Sequence, residues 1–75
     1  MNGIQKLHAI SNLTNKHVEE IKRTLKDGNA LIRKAQKVWG KNKVKTIEQA
    51  IYLTAKQTAY EEWLTLSDAQ KAELL

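Results

Sequence analysis

Apolar residues along this chain recur at helical spacing, and strand-like alternation is confined to the short stretch Lys41–Lys45. With no proline and only three glycines, helix is expected throughout, and capping residues and glycines become the punctuation. A first short helix is expected from Ile4 to about Ile10, with Ile4, Leu7, His8 and Ser11 on one face. Thr14 has the chemistry of an N-cap, and Leu13 before it can staple against Val18. The second helix is therefore expected from Thr14 to about Lys26, burying Val18, Ile21 and Leu25 and stopping at Gly28. Asn29 is the expected cap of a third, Ala30–Trp39, whose apolar face of Leu31, Ala35 and Val38 is widened by Ile32 and Trp39. Gly40 ends it, and Val44 is the one apolar anchor of the loop that follows. Thr46-Ile47-Glu48-Gln49 reads as a capping box opening a helix to Thr65, and Ser67-Asp68-Ala69-Gln70 as a second box opening a last short helix to Leu75.

The expected fold is all-α: a compact bundle of four to five short helices with one long central helix at about residues 46–65. Residues 1–75 read as a single small domain without linker, repeat or low-complexity segment. The long helix carries apolar residues on two sides. At about 100° per residue, Ile47, Ala50, Ile51, Thr54 and Thr58 share one face, whereas Leu53, Tyr60 and Leu64 lie far around from it and Trp63 further on. Two faces need two partners. Either other helices of the domain cover both, or Leu53, Tyr60, Trp63 and Leu64 form a dimer or partner-protein interface, where aromatic residues concentrate.

Charge changes this picture most. Residues 1–45 hold eleven Lys/Arg against three Asp/Glu, and residues 46–75 hold two against five, so a basic half precedes an acidic half and the net charge is +5. No acid lies between Asp27 and Glu48, a gap that contains Arg33, Lys34, Lys37, Lys41, Lys43 and Lys45. A local field of that sign attracts a polyanion. A domain of this length buries only roughly 60% of its unfolded surface, and with no cysteine to staple it, a second copy of the chain would add stability. No apolar run exceeds Ala50–Leu53, so neither a signal peptide nor a membrane span is expected, and a soluble, cytoplasmic protein is.

Two short helices around Asp27-Gly28-Asn29 are what a helix-turn-helix requires, since a tight glycine turn lets the second helix leave at a steep angle. Over about residues 14–50 the chain resembles that class in general. The resemblance implies that Ala30–Trp39 is the recognition helix, with Arg33 and Gln36 suited to guanine and adenine edges and Lys34 and Lys37 beside them. Lys41, Lys43 and Lys45 would hold flanking phosphates. A ribbon-helix-helix reading of Lys43-Val44-Lys45 fails, because there the strand precedes both helices.

Other chemistry is sparse. His8 and His17 are nine residues apart, and Glu20 is the one acid at ligand spacing from His17, so no metal site is expected. Ser11 and Ser67 read as turn or cap residues, and Gly3, Gly28 and Gly40 form no phosphate-cradling loop, so neither catalysis nor a cofactor is expected. The expected function is non-enzymatic nucleic-acid binding, to DNA rather than RNA, by a small regulator or accessory protein, possible homodimerisation included. The alternative is a protein-interaction module or inhibitor that binds its partner through the long helix.

Overall fold

A computed structural model describes residues 2–75 as four helices, with no strand among the described residues. Helix α1 spans Gly3–Thr24, and its first turn is closed by a capping box: Asn2 Oδ1 accepts from Gln5 N at 2.8 Å, and Asn2 N donates to Gln5 Oε1 at 3.2 Å. The two helices expected over this stretch are thus one. Thr14 is not a cap but a buried mid-helix residue, whose Oγ1 donates to the Ile10 carbonyl four residues back at 2.8 Å. Neither proline nor glycine lies between Ile4 and Lys26 to stop the helix, and a Thr hydroxyl can be satisfied inside one just as well as at its start.

Helix α2, Gly28–Trp39, also begins differently from expectation. Its cap is Asp27, not Asn29: the Asp27 carboxylate accepts from Asn29 N at 3.1 Å and Ala30 N at 3.2 Å. Gly28 is accordingly the first helical residue rather than a left-handed stop. Its missing Cβ matters for another reason, since one built there would lie 2.6 Å from Ile47 Cδ1. Gly40 does end the helix as expected, with φ +97° and its N–H on the Gln36 carbonyl at 2.8 Å.

Helices α3 (Ile47–Thr65) and α4 (Asp68–Ala72) start at the two expected capping boxes, on Thr46 with Gln49 and on Ser67 with Gln70. Helix α1, with 22 residues, is longer than α3, with 19, so the expectation of one long helix among short ones is corrected. Both α1 and α2 pack on α3 while hardly touching each other. The core is divided accordingly. Trp63 and Ala59 of α3 meet Ala9, Ile10 and Leu13 of α1, with Leu66 and Leu74 at the margin. Ala50 of α3 meets Ala35 of α2 and Val44 of the loop, with Leu31, Ile32, Trp39 and Leu53 around them. The contacts of α3 are thus shared between α1 and α2, but not along the two expected sides: Leu53 joins Ala50 in the α2 cluster, Trp63 packs on α1, and Tyr60 and Leu64 stay exposed. Val38, expected on the buried face of α2, is instead 61% exposed.

Candidate nucleic-acid interface

The basic segment is built on α2 and the loop after it. Arg33, Lys34 and Lys37 project from the exposed side of α2, opposite Ala35, and Lys41, Lys43 and Lys45 are exposed on the loop. Three contacts hold that loop in place. Val44 is fully buried in the α2–α3 cluster, and its carbonyl accepts from Gln36 Nε2 at 2.9 Å. One residue on, Lys45 N donates to Gln49 Oε1 at 2.8 Å, and the same oxygen closes the α3 capping box with Thr46 N at 3.1 Å. Alternation thus has a purpose here, Val44 inward and Lys43 and Lys45 outward, without any strand.

Arg33, Gln36, Lys37 and Lys41 line one surface depression of about 390 Å³. Among the described residues, no Lys or Arg side chain lies within ion-pairing distance of a carboxylate. The six cations of the acid-free gap therefore face solvent unneutralised, on a backbone fixed at both ends.

Two supports of the helix-turn-helix expectation do not stand. The connection between α1 and α2, Leu25–Asp27, contains no glycine, and the two helices do not pack on each other as that motif's pair would. Gln36 is half-buried and donates one amide N–H to the Val44 carbonyl. That bond turns the side chain toward the loop, so Gln36 acts as a support of the loop, with one amide hydrogen left over.

The four residues expected as an interface are not brought together. Trp63 is 5% exposed and packs in the α1–α3 cluster, because α1 delivers Ala9, Ile10 and Leu13 to it, so it belongs to the core, with one edge lining a depression beside Lys6 and Lys71. Lys71 Nζ covers its ring at 4.9 Å. Leu53 is half-buried against the α2 cluster, whereas Tyr60 and Leu64 are exposed. His17 Nδ1 lies 3.4 Å from Glu20, the acid at the right spacing in the sequence, and its Nε2 meets Glu62 of α3, a partner the sequence did not indicate, which ties α1 to α3. No group of three or more His, Cys, Asp or Glu among the described residues has the geometry to hold a metal ion. No described helix is long and apolar enough to cross a membrane.

No family model matches the chain, and no curated protein or solved structure is significantly similar to it.

Proposed function

We propose that this chain is a non-enzymatic nucleic-acid-binding domain, acting in the cytoplasm as a small regulator or accessory protein on DNA. It holds the phosphate backbone with Arg33, Lys34, Lys37, Lys41, Lys43 and Lys45. The observation that carries this reading is the unneutralised state of those six cations on a pinned loop and one helix face. Unpaired cations held in place release counterions from a polyanion without first breaking internal ion pairs, and little backbone entropy is left to lose. Because Gln36 is half-buried and turned toward Val44, the grip is dominated by phosphate contacts, with Arg33 the better placed candidate for a base edge.

The test is a titration against random duplex DNA, single-stranded DNA and RNA at several salt concentrations. With about 4 phosphate contacts, the log–log slope for duplex should lie near −3.6. Lys37→Glu with Lys41→Glu should abolish binding. The same reversal at Lys6 and Lys71, which line a depression beside Trp63, should leave most of it. Equal losses in the two pairs would reduce the effect to net charge, and no binding to any of the three polymers at low salt would sink the proposal. A protein-interaction role through α3 is the second reading, favoured by the exposure of Tyr60 and Leu64, and it would then take precedence.

A further inference from the structure

The apolar side chains of this chain are distributed against the usual rule. Among the described residues only five large ones are buried, Ile10, Leu13, Val44, Ile51 and Trp63, and the other five buried hydrophobics are alanines. Eight large hydrophobics among the described residues are exposed, with Ile4 and Leu64 at 81% and Leu7 at 63%. Scattered exposure is ordinary, but several of these residues adjoin. Tyr60 forms a wall of two neighbouring depressions. One, of about 190 Å³, reaches Leu7 of α1, and the other, of about 380 Å³, reaches Val38 of α2 and Leu53. Along α3 itself, Tyr52, Lys56, Tyr60 and Leu64 follow one another at four-residue spacing, a seam beside the buried row Ile51, Ala55, Ala59 and Trp63.

We propose that this seam, with Leu7 and Ile4 on one flank and Val38 on the other, is the self-association surface of the chain, and that its occupant is the same seam of a second copy. Two observations select a second copy. Six side chains so exposed amount to several hundred Å² of apolar surface, the scale of the ~800 Å² that each partner contributes to a stable interface. The monomer also needs this burial permanently, because a core half made of alanine gives a domain of 75 residues little hydrophobic stabilisation, and only another copy accompanies the chain everywhere.

The seam fits itself in one orientation. Lys56 is its only charge, and a parallel pair of seams would set Lys56 against Lys56. An antiparallel pair about a twofold axis midway between positions 56 and 60 sets Tyr52 against Leu64 and Lys56 against Tyr60 of the other copy. The lysine then lies on an aromatic ring, as Lys56 Nζ already does over Tyr52 at 6.0 Å within the chain.

Sedimentation equilibrium of the wild type should give twice the 8.6 kDa chain mass. Leu64→Glu and Leu7→Glu, each at a position open to solvent in the monomer, should halve it, and circular dichroism shows whether helicity persists or falls together with the mass, as in an obligate dimer. The register has its own readout, since the chain contains no cysteine. Lys56→Cys combined with Tyr60→Cys should oxidise to a covalent dimer, and Lys56→Cys alone should not, because like positions lie too far apart for a disulfide in the antiparallel pair. A wild type that stays at 8.6 kDa at its highest soluble concentration overturns the proposal. A dimer that survives both glutamates overturns the surface, and efficient cross-linking by Lys56→Cys alone overturns the orientation.

Discussion

Thr14 shows how one residue can carry two opposite signals. Its hydroxyl is the acceptor an N-cap needs, yet in α1 it is a donor to the Ile10 carbonyl, buried beside Leu13. That carbonyl keeps its helical partner if the hydroxyl is removed. Thr14→Val should therefore unfold in urea at a stability no lower than wild type, whereas loss of a cap costs ~0.5–2 kcal/mol. A loss of about 1 kcal/mol with falling helicity would restore the cap reading. The glycines divide in the same way. Gly40 has φ +97° and ψ 154°, a region other residues enter only with strain, so Gly40→Ala should cost ~1–3 kcal/mol. Gly28→Ala would press on Ile47 Cδ1 at 2.6 Å and Cγ1 at 3.0 Å, but no backbone is met and Ile47 is exposed enough to shift, so it should cost less than Gly40→Ala in the same titration.

At the level of elements, the loop after α2 draws its order from its neighbours. Val44 fills the space between Ala35 and Ala50, Gln36 holds its carbonyl, and Gln49 holds the next amide. Val44→Ala should cost about 2 kcal/mol of stability. Gln36→Leu should cost ~1 kcal/mol, the worth of the hydrogen bond to Val44. Its effect on binding separates support from recognition. As a support of Lys41, Lys43 and Lys45, Gln36 should on replacement weaken binding to all duplex sequences alike. A selection on random duplex in which Gln36→Leu instead relaxes preference at one base pair would make it a base reader.

The whole molecule is joined through one helix. Since α1 and α2 hardly touch, the two core clusters communicate chiefly through α3, and each contains or borders one tryptophan: Trp63 with α1, Trp39 with α2. Trp39→Phe leaves fluorescence to report the α1 cluster, and Trp63→Phe leaves it to report the α2 cluster. In each variant, the fluorescence and far-ultraviolet transitions should coincide, as they do for one cooperative unit. Separate midpoints would mean that the halves unfold independently and that α3 does not couple them. His17, which bridges α1 to Glu62 of α3, stands among the contacts that such coupling rests on.

The local code determined a good deal of this protein. All-helical content, the capping boxes on Thr46 and Ser67, the stop at Gly40, the inward Val44 and the outward cations of the acid-free gap follow from short-range chemistry, and the structure has each of them. Boundaries inside residues 4–30 did not follow, because the hydroxyl of Thr14, the carboxylate of Asp27 and the amide of Asn29 all offer cap chemistry, and only packing selects among them. The same holds for faces. Periodicity places Trp63 and Tyr60 on the side of α3 away from Ile51, but which of them is covered depends on where α1 crosses. Gln36 is the clearest case: its partner is a carbonyl eight residues on, across a chain reversal, and no spacing rule connects a helix side chain to a loop whose path is set by burial of Val44. Tertiary structure decides such contacts because the free energy that selects them is the burial of surfaces from distant segments, a quantity that no single stretch of residues contains.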